Sequence, residues 1–333
     1  MEATAVKLYI CGNGFDMHHK LPTGYGDYRV YLENHNPALL KEYDQFPYLM
    51  ETADLDRWAD VEVALCIDYE ELFFESVHAN YPDLNNESDS RFYEIEIDVD
   101  ILTRFINDFT GRCFFEWIFK AEQHEAVADL NLDKDALYIN FNYTNTIQRL
   151  YGIPKESILH IHGALKNLNG ADVLWQDVLP CFSTVEEAEA LGPIVEGDKW
   201  SSEYIRNEIQ FGATGITPEQ VKGDLTRQYE DDDFFGASIE PALNKLVDFV
   251  EKSTKNIKSN YNRLIDFIEG KSIDEVIIMG VSLGEADDGY YSDILVPKLK
   301  NAKWTFMLYG DDASRIESFV RRHQLENIEI QKW

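Results

Sequence analysis

Five short apolar runs constrain the fold of this chain more than any other feature. They are "VKLYICG" (6–12), "ALYINFNY" (136–143), "SILHIHG" (157–163), "DEVIIMG" (274–280) and "KWTFMLYG" (303–310). Each is continuously apolar rather than alternating, and each runs into a polar or glycine-containing turn. A strand buried on both faces has no solvent side, so it reads this way. "IEIQKW" at the C-terminal end of the sequence offers a sixth strand. Helix-like stretches intervene. Strands alternating with helices predict an α/β fold whose mainly parallel sheet is doubly wound and covered on both faces.

Residues 31–128 interrupt that alternation. "WADVEVALCIDYEELFFESV" and "DVDILTRFINDFTGRCFFEWIF" carry apolar residues at helical spacing, which predicts a helical insertion between the first and second strands. The acidic "YPDLNNESDSR" (81–91) reads as its loop. Residues 164–235 are weakly patterned, and "QYEDDDFFG" (228–236) reads as a second exposed loop. "PALNKLVDFVEKSTKNIKSNYNRLIDFI" (241–268) forms one long or two short helices before the fourth strand. Trp58 and Glu62 stand one helical turn apart and read as a cap and core anchor rather than a site.

The residues able to carry chemistry cluster at predicted strand ends. In an open α/β sheet the carboxyl ends of the strands line the ligand crevice. Gly12-Asn13-Gly14 follows the first strand. Such glycines let a backbone turn tightly and approach a diphosphate over a helix N-terminus. A third glycine of the full dinucleotide pattern is absent, with Met17 in its place, so an ordinary tight turn explains the pair as well. Asn140, Asn142 and Thr144 occupy alternating positions, which aims them to one side if the second strand persists that far. His160 and His162 align in the same way, His162 nearer the edge and His160 deeper and more structural. "GVSLGEADDGYY" (280–291) adds Gly280, Ser282 and Asp287. Asp16 and Asp287 read either as cap and turn residues or as charges facing the cleft. His18 and His19 have no carboxylate or cysteine at metal spacing and read as rim or solvent residues, so no metal is expected.

Charge excludes some functions. Lys and Arg number 30 against 61 Asp and Glu, a formal charge of −31. Such a surface repels phosphate backbones and anionic lipids, so neither nucleic acid nor membrane is an expected partner. The acid is spread along the chain, as a solvated surface requires. Cys11, Cys66, Cys113 and Cys181 lack metal spacing, which fits a reduced, cytoplasmic protein without structural zinc. Apolar content of 44% is ample for a core,, and no apolar stretch approaches the length needed to cross a bilayer.

Gly12-Asn13-Gly14, Leu21-Pro22, Asn142, His162-Gly163 and Gly280-Val281-Ser282-Leu283 together resemble the sirtuin series of motifs. More closely, "GNGFDMHHKLPTGYGDY", "WADVE", "NFNYTNTIQRLYG", "HIHG" and "GVSLGEADDGYY" resemble the AbiH family of bacterial abortive-infection proteins. The order of motifs is preserved over most of the chain. The resemblance implies one sirtuin-like, Rossmann-type α/β domain over residues 1–333, with the 31–128 insertion inside it, acting in defence against phage. It implies NAD as ligand or substrate. Asn142 and His162 fall on the catalytic positions. Gly12, Asn13, Gly14, Asp16, Thr144, Gly280, Ser282 and Asp287 fall around the dinucleotide. Thr144 stands where sirtuins carry an aspartate, Thr23 where they carry an acid, and the four-cysteine zinc module is absent. Deacylation needs a channel built partly beside that module.

Hydrolysis of NAD needs less. Nicotinamide leaves as a neutral group from a cationic ring, so no acid need protonate it, and the sugar becomes oxocarbenium-like. Asn142 would hold the ribose or the water, and His162 would take a proton. Asp16 or Asp287 would favour the cationic transition state. Unrestrained NAD destruction would kill the host. A brake is therefore expected, in the insertion or in a homo-oligomer, together with a phage-encoded trigger. The alternatives are a nucleotide-sensing module without turnover and a nuclease-type effector. The latter would need clustered carboxylates, of which only Asp231-Asp232-Asp233 stands out.

Overall fold

Every predicted strand segment contains a strand in the computed structural model, which describes residues 6–49, 58, 61–81, 91–164, 211–212, 216–232, 235–255, 257–308 and 313–333. β1 (Val6–Cys11), β2 (Leu137–Asn140), β3 (Ile158–His160), β4 (Ile273–Met279), β5 (Lys303–Leu308) and β6 (Ile328–Lys332) form one sheet in the order β3-β2-β1-β4-β5-β6. All five pairings are parallel. Continuous apolar runs are what this arrangement demands, since helices cover both faces. Leu8, Ile10, Leu137, Ile139, Val276, Ile278, Trp304 and Phe306 share one core with Phe319 of the helix Ala313–His323. Tyr9, Cys11, Tyr138, Ile277 and Met279 share the other with Phe15 of α1 (Asn13–His18) and Ile147 of α8 (Thr146–Tyr151). The register sets Leu8 beside Leu137 and Ile10 beside Ile139. Leu8, Ile10 and Ile139 are fully buried, each contributing roughly 1.5–3 kcal/mol.

β2 and β3 are shorter than their apolar runs. β2 stops at Asn140 because the Asn140 side-chain oxygen accepts the Asn142 backbone N–H at 3.1 Å. This Asx-type turn takes the chain out of the sheet. β3 stops at His160, and Ile161 and His162 form a turn into Gly163, at φ 83°. The expectation that side chains alternate through Thr144 and through His162 is therefore corrected: beyond Asn140 and His160 there is no strand to impose it.

By chain contacts the protein divides into two compact units. One is built from Met1–Tyr28, Trp117–Ala171 and Asn256–Trp333 and holds the sheet. The other is built from Arg29–Glu116 and Asp172–Lys255. The helices of residues 25–122 are α2 (Tyr25–His35), α3 (Pro37–Gln45), α4 (Val61–Ala64), α5 (Tyr69–Ala79), α6 (Arg91–Thr110) and α7 (Arg112–Glu122). The second unit adds helices Pro218–Tyr229 and Glu240–Ser253, the latter packed on α6. The stretch read as continuous helix from Trp58 breaks after Ala64. Ile67 bridges Leu49 in extended form, and Asp68 then caps α5 by accepting the Glu71 N–H at 3.0 Å,. Residues 241–268 resolve into two helices, Glu240–Ser253 and Tyr261–Ile268. Gln228 and Tyr229, read as loop, end the helix Pro218–Tyr229. Cys181 and most of the 81–91 loop lie outside the described residues.

Trp58 and Glu62 are anchors within the second unit. The Trp58 ring meets Tyr43 at 4.8 Å, and its indole N–H donates to Asp44 at 3.0 Å. Glu62 receives Lys255 Nζ at 2.9 Å on both oxygens, and both residues are buried.

Candidate functional site

The strand order reverses between β1 and β4. That is where open α/β sheets hold ligands. Gly12, Asn13, Gly14 and Asp16 arrive there from β1, and Gly280, Ser282 and Asp287 from β4.

The two loops meet backbone to backbone. The Gly12 N–H donates to Met279 O at 3.0 Å, and the Gly14 N–H to Gly280 O at 2.8 Å. A Cβ on Gly12 would stand 2.7 Å from Gly280 O, and one on Gly14 would stand 2.7 Å from Gly280 Cα. Gly280 has φ +64°, and a Cβ there would reach 2.3 Å from the Phe15 nitrogen. Close approach of the chain to itself thus accounts for these glycines. Asn13 is exposed and donates through Nδ2 to Thr23 O at 2.8 Å, which ties the Leu21-Pro22-Thr23 turn to the loop. Ser282 is exposed. Buried Leu283 is held at φ 55°, a conformation costly for a branched side chain,.

Beneath the loops lies a polar knot. Asn142 Nδ2 donates to Gly12 O at 2.9 Å. Asn140 Nδ2 donates to Thr144 O at 3.2 Å. The Thr144 hydroxyl donates to Asp16 Oδ2 at 2.6 Å and receives the Thr146 hydroxyl at 2.9 Å. Asn140, Asn142, Thr144, Thr146 and Asp16 are all buried. Asp16 Oδ1 has no hydrogen-bond partner among the described residues. Burial pushes the Asp16 carboxyl up to about 6, against the opposing pull of the Thr144 and Thr146 hydroxyls,. Thr146, and buried Glu122, whose carboxylate accepts the Asn145 N–H at 2.6 Å, belong to this region and were not singled out from sequence. Burial raises the Glu122 carboxyl too. Its position inside an ordinary helical pattern gave no signal.

The two histidines part company. His160 is half-buried, with its ring nitrogens near Gln148 Nε2 (2.8 Å), Asn140 Nδ2 (3.4 Å) and Asn142 O (3.3 Å). Desolvation lowers its pKa to about 4, so it is neutral at physiological pH,. His162 is the deeper of the two, which reverses the order expected from sequence. Its ring packs near Phe141 (5.4 Å between centroids) and Tyr290 (5.6 Å), and its Nε2 lies 3.3 Å from Asp287 Oδ1. Asp287, from the β4 loop, thus meets His162, from the β3 loop, within one unit. A carboxylate so placed can pair with the imidazolium form of the ring,.

His18 and His19 also depart from expectation. His19 is buried rather than at a rim, and a carboxylate does face the pair. His18 Nε2 lies 3.1 Å and His19 Nε2 3.7 Å from Asp129 Oδ1.

Fold and site together define a doubly wound α/β protein with a buried polar network at its strand-order reversal. The family model described as bacteriophage abortive infection AbiH matches residues 8–308, and the chain belongs to that family. No curated protein and no solved structure matches it. Among the described residues, no helix is long and apolar enough to cross a membrane.

Proposed function

We propose that this AbiH protein binds NAD with a sirtuin-like Rossmann domain at the strand-order reversal and hydrolyses it to nicotinamide and ADP-ribose during abortive infection. The observation that carries this reading is the convergence of four strand-end loops: Gly12–Asp16, Asn142–Thr144, His162 and Gly280–Asp287. His162 acts as general base toward water or a ribose hydroxyl, and Asp287 stabilises the imidazolium that forms. Asn142, held by Gly12 O, fixes the loop that faces the ribose. Asp16, ionised above about pH 6, supplies negative charge beneath an oxocarbenium-like sugar,. No acid is required for the leaving group.

The test is to incubate purified protein with NAD, with and without phage lysate, and follow nicotinamide by chromatography. Folded His162→Ala is expected to lose about 10²–10⁴-fold in turnover. Wild-type rates in that variant would remove the assignment.

A second reading has its own support. His162, Asn142 and Thr144 are buried, and the Asn142 amide and Thr144 hydroxyl already bond protein atoms. A site so tied suits a nucleotide sensor. Binding by calorimetry without nicotinamide release, even with lysate, would select it.

A further inference from the structure

The C-terminal end of α1 carries a cluster that neither the NAD chemistry nor the polar knot uses. His18 closes α1, His19 follows it, and Asp129 comes from the segment between α7 and β2. One ligand atom from each lies within 4.8 Å of the other two. A tetrahedral zinc-class ion with ligands at about 2.0–2.2 Å spaces its donor atoms by roughly 3.3 Å. The measured separations to Asp129 Oδ1, 3.1 and 3.7 Å, bracket that spacing.

The imidazoles are prepared as ligands. His19 Nδ1 stands 2.7 Å from Phe15 O, an acceptor, so the proton sits on Nδ1 and Nε2 keeps its lone pair,. The His18 ring is stacked on Trp333, 4.7 Å between centroids and 3° from parallel, which fixes its direction. The Tyr151 hydroxyl receives the Leu130 N–H at 3.2 Å and donates to His19 Nε2 at 2.5 Å, a hydrogen bond that the ion would replace. Asp129 is exposed, so an ion has a path in. Carbonyls at a helix C-terminus favour a cation.

We propose that His18, His19 and Asp129 bind one divalent transition-metal ion of the zinc class. Two imidazoles and one carboxylate suit zinc and its neighbours rather than calcium or magnesium. The ion clamps the end of α1 to the segment leading into β2, and so steadies the Gly12–Gly14 turn at the other end of α1. This site stands independently of the NAD reading.

The test uses full-length protein stripped with a chelator, then titrated with Zn(II) in a calorimeter at about pH 7.5 and about pH 5.5. Wild type is expected to bind one zinc per chain at the higher pH, to bind weakly at the lower, and to melt at a higher temperature with zinc present. Asp129→Asn and His18→Gln alter side chains that are exposed or half-buried, so both are expected to keep the fold, checked by circular dichroism. Each should weaken zinc binding more than about tenfold and lose the zinc-dependent rise in melting temperature. Absence of stoichiometric zinc in wild type, or wild-type binding in both variants, overturns the proposal.

Discussion

Asp16 and Glu62 are both buried acids, one in each compact unit, and their surroundings differ in kind. Glu62 receives an ammonium, Lys255 Nζ, at 2.9 Å on both oxygens. Asp16 receives neutral hydroxyls only, and its Oδ1 has no hydrogen-bond partner among the described residues. A buried charge costs free energy unless paired. The helical unit neutralises its acid within the scaffold. The sheet unit leaves its acid without a cationic hydrogen-bond partner at the strand-order reversal.

The largest expected effect lies on the paired side. Lys255→Met strands Glu62 in the interior and should cost about 3–5 kcal/mol in urea unfolding. Replacing both residues by methionine should restore most of that loss. If Lys255→Met is nearly neutral, Glu62 is not held by its partner and the contrast fails.

Asp16→Asn probes the other side, with the opposite sign. The folded-state pKa of Asp16 is raised to about 6 from 3.8. Below about pH 4 the acid is neutral folded and unfolded, and it costs nothing. Between about 4 and 6 the unfolded chain ionises first, so the wild type loses stability as pH rises, and above 6 the penalty is complete. A shift of about two units corresponds to a penalty on the order of 3 kcal/mol. The stability of Asp16→Asn relative to wild type should therefore climb by that order between pH 4 and pH 7. A difference independent of pH would mean that Asp16 is compensated by something else.

Thr144→Val gives the smallest change and sharpens the reading of Asp16. It removes the 2.6 Å hydroxyl donor and should cost about 1–2 kcal/mol at pH 7,. In the Asp16→Asn background the cost should shrink, because a hydrogen bond to a charged acceptor is the stronger one. Additive losses in the double-mutant cycle would show that the two side chains are not coupled.

The central strands were legible because a strand buried on both faces advertises itself locally. "VKLYICG" needs no partner to read as β1, and Leu8 and Ile10 are fully buried. The strand ends were less legible. Whether Asn140 continues the strand or accepts the Asn142 N–H is a choice between two local hydrogen bonds, and hydropathy does not weigh them. Site candidates came from strand-end motifs and the family resemblance. Gly280 and Asp287 were among those candidates, but the packing of Gly280 against Gly12 and Gly14 and the approach of Asp287 to His162 are contacts between distant segments that no motif records.

Sequence by itself determined which segments are strands, that they alternate with helices, and which polar residues follow them. Each of these is written in runs of a few neighbouring residues. Tertiary structure alone decided that His160 meets Gln148 while His162 sinks toward Phe141 and Tyr290. It also decided that Asp16 is buried against Thr144, 128 positions away, and that Asp129 faces His18 across 111. Burial and pairing of charges depend on contacts between distant segments, and local hydropathy carries no record of which segments will meet.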